Sequence, residues 1–155
     1  MKSSKYHILV FVLSFTCGQY KLFAQSASIE ECEACINLTY QVDTLMEVSK
    51  IQTSKSKEVI FRFLLCFDTK YSNAAELVQY SDEVLFKLLK DYPNLILEIM
   101  SKNKTQIPWK NICDQIAHPI NDGINLNDIL KKIEPISGYD NVKKDVIDAL
   151  KKAII

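Results

Sequence analysis

From Ser28 onward the apolar positions recur at three- and four-residue intervals, the period of helices. Ile29, Cys32, Cys35, Ile36, Val42, Leu45 and Met46 predict a first helix that starts at Ser28 and is ended by the polar run 52–57. Its start carries a capping box. The Ser28 hydroxyl can accept from backbone N–H groups while Glu31 reaches back to the Ser28 N–H. Glu30 and Glu31 suit the positive end of the helix dipole. A second helix is expected over 57–68. Val59, Ile60, Phe61, Phe63, Leu64, Leu65, Cys66 and Phe67 leave it almost no wet face. Such a helix is either central and covered on every side, or it shows one side to lipid or to a second subunit.

The segment 74–100 keeps one stripe through Val84, Leu85, Leu88, Leu89, Tyr92, Ile96 and Ile99. Pro93 interrupts it, which predicts two helices or one bent helix joined at Tyr92-Pro93. A polar loop over 101–106 leads to a short helix near Pro108, a favoured first-turn residue. That helix carries Trp109, Ile112, Cys113 and Ile116 and stops before Pro119. Asn121-Asp122-Gly123 reads as a turn. Asn125 can cap a helix holding Leu126, Ile129, Leu130 and Ile133, and Asp140 can cap a last one holding Val142, Val146, Ile147 and Leu150. Lysine pairs at 131–132, 143–144 and 151–152 read as solvated faces, or more sharply as headgroup contacts. The fold class is all-α.

The first two dozen residues have another texture. Lys2 and Lys5 give a basic start, Ile8 to Phe15 run apolar except for Ser14, and Ala24 offers a small residue for cleavage. This is the pattern of a secretory signal peptide over 1–24. The apolar run is about half of the roughly 20 residues that a membrane span needs. The whole chain of 155 residues is formally neutral, with 19 basic and 19 acidic side chains. Cleavage would remove three lysines and no acid, leaving a mature net charge of −3. No basic face for nucleic acid is present. Secretion to the extracellular space or a lysosome-like compartment is the expectation. There the sequons at Asn37 (Asn37-Leu38-Thr39) and Asn103 (Asn103-Lys104-Thr105) are candidate glycosylation sites.

Besides Cys17 in the signal, four cysteines remain: Cys32, Cys35, Cys66 and Cys113. Four allow three pairings. A zinc site would want a second close pair of ligands, and His118 is the only mature histidine. A thioredoxin-like site would want neighbouring strands. No metal site and no cofactor is expected. A single mature histidine, with no Gly-rich phosphate loop and no Gly-x-Ser-x-Gly, also argues against an enzyme.

Glu31-Cys32-Glu33-Ala34-Cys35-Ile36 resembles the opening of a saposin-like (saposin B-type) domain. Cys66, 31 residues after Cys35, matches the family's third cysteine. Tyr80 with Val84 and Leu85 matches its third-helix tyrosine pattern, and Pro108 followed by Ile112-Cys113 matches its fifth cysteine. The resemblance spans about residues 29–119, and the family's fourth and sixth cysteines have no counterpart here. It implies a saposin-like bundle of four to five helices over 29–119, followed by an amphipathic helical extension over 120–155. It also implies a Cys35–Cys113 disulfide. A Cys32–Cys66 bond is disfavoured. With a helical hairpin turning near Thr53, those sulfurs would stand roughly 10 Å apart along the axis, beyond disulfide reach.

The resemblance implies a lipid- or membrane-interacting protein, some members of the family dimerising around an apolar cavity. The candidate lipid-facing residues are Phe61, Phe63, Leu64 and Phe67, since burying one phenylalanine gains roughly 2 kcal/mol. Two other functions fit the same scaffold. One is a membrane-permeabilising, amoebapore-like antimicrobial protein, and the other is a secreted helical module that binds a protein partner.

Overall fold

The computed structural model describes residues 28–48, 51 and 53–154; the expected signal peptide lies outside them. The described chain is all helical: α1 (Ile29–Glu47), α2 (Ser54–Leu65), α3 (Ala75–Asp91), α4 (Pro93–Asn103), α5 (Trp109–Ala117), α6 (Leu126–Ile133) and α7 (Asp140–Ile154), with a 3-10 turn at Thr69–Tyr71 between α2 and α3.

Local chemistry sets most of the boundaries. Ser28 caps α1 as expected. Its Oγ accepts from the Glu31 N–H at 3.2 Å, and the Glu31 carboxylate accepts from the Ser28 N–H at 3.1 Å. The α3–α4 break falls at Tyr92-Pro93, because Pro93 has no N–H to continue the ladder. Asn125 caps α6 by accepting from the Asp128 N–H at 3.2 Å. The start of α7 differs from expectation. Gly138 (φ 86°) and Tyr139 (φ 58°) turn the chain into the helix through left-handed conformations. The Tyr139 carbonyl then accepts from Val142 and Lys143, and Asp140 is already the first helical residue.

The second helix differs more. The run 52–57 does not belong to the end of α1. Thr53 caps α2 by accepting from the Ser56 N–H at 3.1 Å, so Ser54–Lys57 form its first turn. This earlier frame gives α2 a wet face of Ser54, Lys55, Glu58, Arg62 and Leu65, all exposed. Phe63, Leu64 and Ile60 are fully buried on the other face. Phe61 is half-buried, and Phe67 lies beyond the helix with its ring edge-on to Phe63 at 5.4 Å. Phe63 and Leu64, expected as lipid-facing, are therefore core residues of the monomer. Phe61 and Phe67 pack against that core.

One core runs through the bundle. α3 is its spine, with Val84, Leu85, Leu88 and Leu89 fully buried, and it packs against α1, α4 and α6. α5 packs on α7, and α7 also touches α4 and α6. Ile129 and Ile133 of α6 and Val142, Val146 and Leu150 of α7 are buried in the same core. Residues 120–154 thus share the interior of the preceding helices. A smaller cluster of Cys35, Leu38, Cys66, Tyr71 and Leu77 closes the space under the 3-10 turn.

The disulfide joins Cys35 to Cys66, across 5.7 Å between Cα atoms. Cys113 is not its partner and carries a free thiol, as does Cys32. The true helix ends explain the correction. Cys35 lies twelve residues before the end of α1, and Cys66 twelve residues after the start of α2. At 1.5 Å per residue both sit roughly 18 Å from the turn, so they face each other. Cys32 is one turn further away. The bond links the residues matched to the family's second and third cysteines, so the cysteine correspondence behind the resemblance does not hold.

Candidate ligand groove between the first two helices

At the turn end of the α1–α2 pair an open groove of about 670 Å³ lies between the two helices. α1 contributes Asn37, Tyr40, Gln41, Thr44 and Leu45, whose spacing places them on one face. α2 contributes Thr53, Lys55, Ser56 and Val59. The volume lies within the usual range of ligand pockets, about 300–1,000 Å³.

Its chemistry is amphipathic. Tyr40, Leu45 and Val59 supply apolar surface, and Tyr40 is 55% exposed. Asn37, Gln41 and Thr44 offer neutral polar groups. Among the described residues of the lining Lys55 is the charged side chain, and no carboxylate joins it. Ser56 is committed to the helix start: its hydroxyl donates to the Thr53 carbonyl at 2.8 Å. Tyr40 also leans on Tyr80 of α3, with ring centroids 4.7 Å apart. The Tyr80 hydroxyl donates to Asp43 at 3.1 Å, and burial, then that carboxylate, push its pKa up to about 12. Lys87 pairs with the other Asp43 oxygen at 2.9 Å. α1 is thereby pinned to α3 beside the groove.

The residues singled out from sequence fall elsewhere, with one exception. Asn37 is exposed and lines the groove, so a glycan there would occupy its mouth. The Thr39 of that sequon is fully buried, and its hydroxyl donates to the Cys35 carbonyl at 2.8 Å. Asn103 closes α4, with its amide donating to the Ile99 carbonyl at 2.7 Å. Phe61, Phe63, Leu64 and Phe67 belong to or pack on the core, as described above. Cys113 is half-buried on α5. Burial, with Asp145 nearby, pushes its thiol up to about 12, which leaves it a poor nucleophile.

Two polar arrangements were not anticipated. Asp82 is wholly buried on α3 and accepts from the Gln115 amide at 2.8 Å and the Ile120 N–H at 3.1 Å. Burial raises its pKa, and these hydrogen bonds partly offset that. It ties α5 and the loop after it to α3. Asp145 of α7 accepts from Trp109 and from Lys104, each at 2.9 Å, and Lys104 lies 5.0 Å from the Trp109 ring centre. Every partner in these two clusters is satisfied within the fold, so both are braces. Among the described residues no group of three or more His, Cys, Asp or Glu side chains converges as a metal site, and no helix is long and apolar enough to cross a membrane. No protein-family model, no curated protein and no solved structure matches this chain.

Proposed function

We propose that this chain is a secreted helical lipid-binding protein that takes a single anionic amphiphile in the α1–α2 groove. The observation that carries the reading is the groove's composition. Among the described residues, an apolar wall of Tyr40, Leu45 and Val59 lies beside one lysine and several neutral polar groups, with no acid to repel a headgroup. An acyl chain would cover the apolar wall and Lys55 would pair with the headgroup. The disulfide is compatible with an oxidising compartment.

Vesicle co-sedimentation tests this, with phosphatidylcholine vesicles alone and with added phosphatidylserine. The wild type should sediment with the anionic vesicles, while Leu45→Glu and Lys55→Glu should both stay in solution with unchanged circular dichroism. A wild type that neither sediments nor co-purifies with lipid would remove the reading. Binding by Lys55→Glu at the wild-type level would remove the headgroup assignment. A protein partner is the second reading, because Ile29, Tyr40 and Val48 are 80%, 55% and 51% exposed along α1 and its C-cap. It would be favoured if α1 variants at Ile29 lost a partner while vesicles were never bound.

A further inference from the structure

Three of the four cysteines outside the signal segment meet in one place. Cys35 and Cys66 are buried in the small cluster with Leu38, Tyr71 and Leu77, and Cys32, half-buried, packs against that cluster. The free thiol is therefore neither remote from the disulfide nor sealed from solvent. It lies three residues before Cys35 on the same helix, which is about 4.5 Å along the axis and the same face. We propose that Cys32 is an exchange thiol, which moves the α1–α2 disulfide from Cys35–Cys66 to Cys32–Cys66.

The step balances within the chain. The Cys32 thiolate attacks the Cys66 Sγ, a Cys32–Cys66 bond forms, and the Cys35–Cys66 bond breaks. The electron pair of the broken bond leaves on Cys35 Sγ. Cys32 has given up its proton to solvent and Cys35 takes one back, so no oxidant or reductant is consumed. Attack at Cys35 would give a Cys32–Cys35 bond inside one helix. Residues three apart hold their Cβ atoms about 5–6 Å apart, whereas a disulfide wants about 3.5–4.5 Å. That product would pull together two neighbouring turns inside α1, whereas a bond to Cys66 asks for a shift of comparable size at a helix end, so Cys66 is the sulfur attacked. Cys66 suits the role: it is the C-cap of α2, so the shift of part of a turn that the new bond requires falls where the helical ladder ends. The exchange would slide the clasp one turn along α1 and expose a thiol at Cys35 that the native bond holds in the core.

Thiol trapping tests this on the intact chain and on two variants. The wild type is incubated at mildly alkaline pH with a trace of reduced glutathione, quenched with acid, alkylated and mapped by peptide mass spectrometry. A Cys32–Cys66 peptide and alkylated Cys35 should appear together. In Cys32→Ser, Cys35 labelling should fall at least about tenfold under the same conditions. Equal labelling in that variant would mean plain reduction of the disulfide and would overturn the proposal. Cys35→Ser, oxidised with glutathione disulfide, should be monomeric and bridged Cys32–Cys66. Free Cys32 and Cys66 in a folded Cys35→Ser, or a dimer linked through Cys32, would also overturn it. Should Cys35→Ser fail to fold, the wild-type and Cys32→Ser comparison decides alone.

Discussion

Phe63 discriminates a core reading of α2 from a lipid-facing one, and the structure sets the size of the effect. Its side chain is fully buried, its ring meets Phe67 edge-on, and it shares the main core with Ile60 and Leu64. Truncation to alanine removes the transfer energy of the ring, leaves a cavity and loses an aromatic pair. Such buried substitutions cost about 3–5 kcal/mol. That is a large part of the roughly 5–15 kcal/mol that holds a domain together. At roughly 4 °C per kcal/mol for a domain of this size, Phe63→Ala should lower Tm by about 12–20 °C. Phe61 is half-buried, so Phe61→Ala should cost only about 1–1.5 kcal/mol. Urea unfolding followed by circular dichroism and Trp109 fluorescence measures both. The reasoning fails if Phe63→Ala stays within about 1 kcal/mol of wild type, and fails more plainly if a folded Phe63→Ala has lost vesicle binding.

Other measurements bear on separate parts of the molecule. Cys66→Ala should lose about 3.7 kcal/mol, the chain-entropy value for a bond spanning 31 residues. Cys113→Ala, which removes a half-buried thiol and no bond, should cost less than half of that, and the reverse order in urea would restore the Cys35–Cys113 pairing. Asp82 has a raised pKa, so the native state binds its proton more tightly than the unfolded chain, and this term rises in favour of folding as pH falls through the folded pKa. The stability of wild type relative to Asp82→Asn should therefore increase from pH 7 down to about pH 4, the unfolded carboxyl range; an opposite slope in urea midpoints would contradict the burial argument. Vesicle binding should strengthen toward pH 5 as the net negative surface loses charge, and co-sedimentation that weakens on acidification would exclude this electrostatic account.

Much of the fold is legible where a boundary depends on neighbouring residues. Ser28 with Glu31, Asn125 with Asp128, and Pro93 each act within one turn, and each marks a helix end in the structure. α2 starts earlier than its apolar pattern suggests because Ser54-Lys55-Ser56-Lys57 is as polar as a loop, while Thr53 just before it has the chemistry of a cap. A frame three residues late turned a helix with one wet face into one that looked apolar all round. The disulfide is missed for another reason: an α1 that runs on to the polar residues near 52 sets Cys35 about 27 Å from the turn, while its actual end at Glu47 sets Cys35 about 18 Å away. Whether two cysteines on paired helices meet depends on both helix ends, and a few residues of error exceed disulfide reach. The groove left little trace because its α1 face, Asn37-Tyr40-Gln41-Thr44-Leu45, mixes amides, a hydroxyl and apolar groups. Helical spacing was visible there, but no hydrophobic stripe. Asp82 was invisible for a related reason: an acid inside an amphipathic helix reads as solvated until the loop at Ile120 is seen to lie over it.

The placement of the groove follows from how its walls are carried. The disulfide clasps α1 to α2 about 18 Å from the turn, and the groove lies between that clasp and the turn. There each wall is held by a different neighbour. α1 is tied to α3 through Asp43 with Tyr80 and Lys87, and to the end of α3 through the Tyr92 hydroxyl, which donates to the Met46 carbonyl at 3.2 Å. α2 is tied to α4 through Lys57 and Glu98 at 2.8 Å. Exposed pairs of this kind add little stability, about 0–1 kcal/mol each, but they fix which helix follows which. α3 and α4 meet at Tyr92-Pro93, the one joint in this frame where a backbone hydrogen bond is missing by chemistry. Leu88 and Leu89 of α3 and Ile96 of α4 are fully buried in the main core, so the two neighbours that carry the walls are themselves packed together.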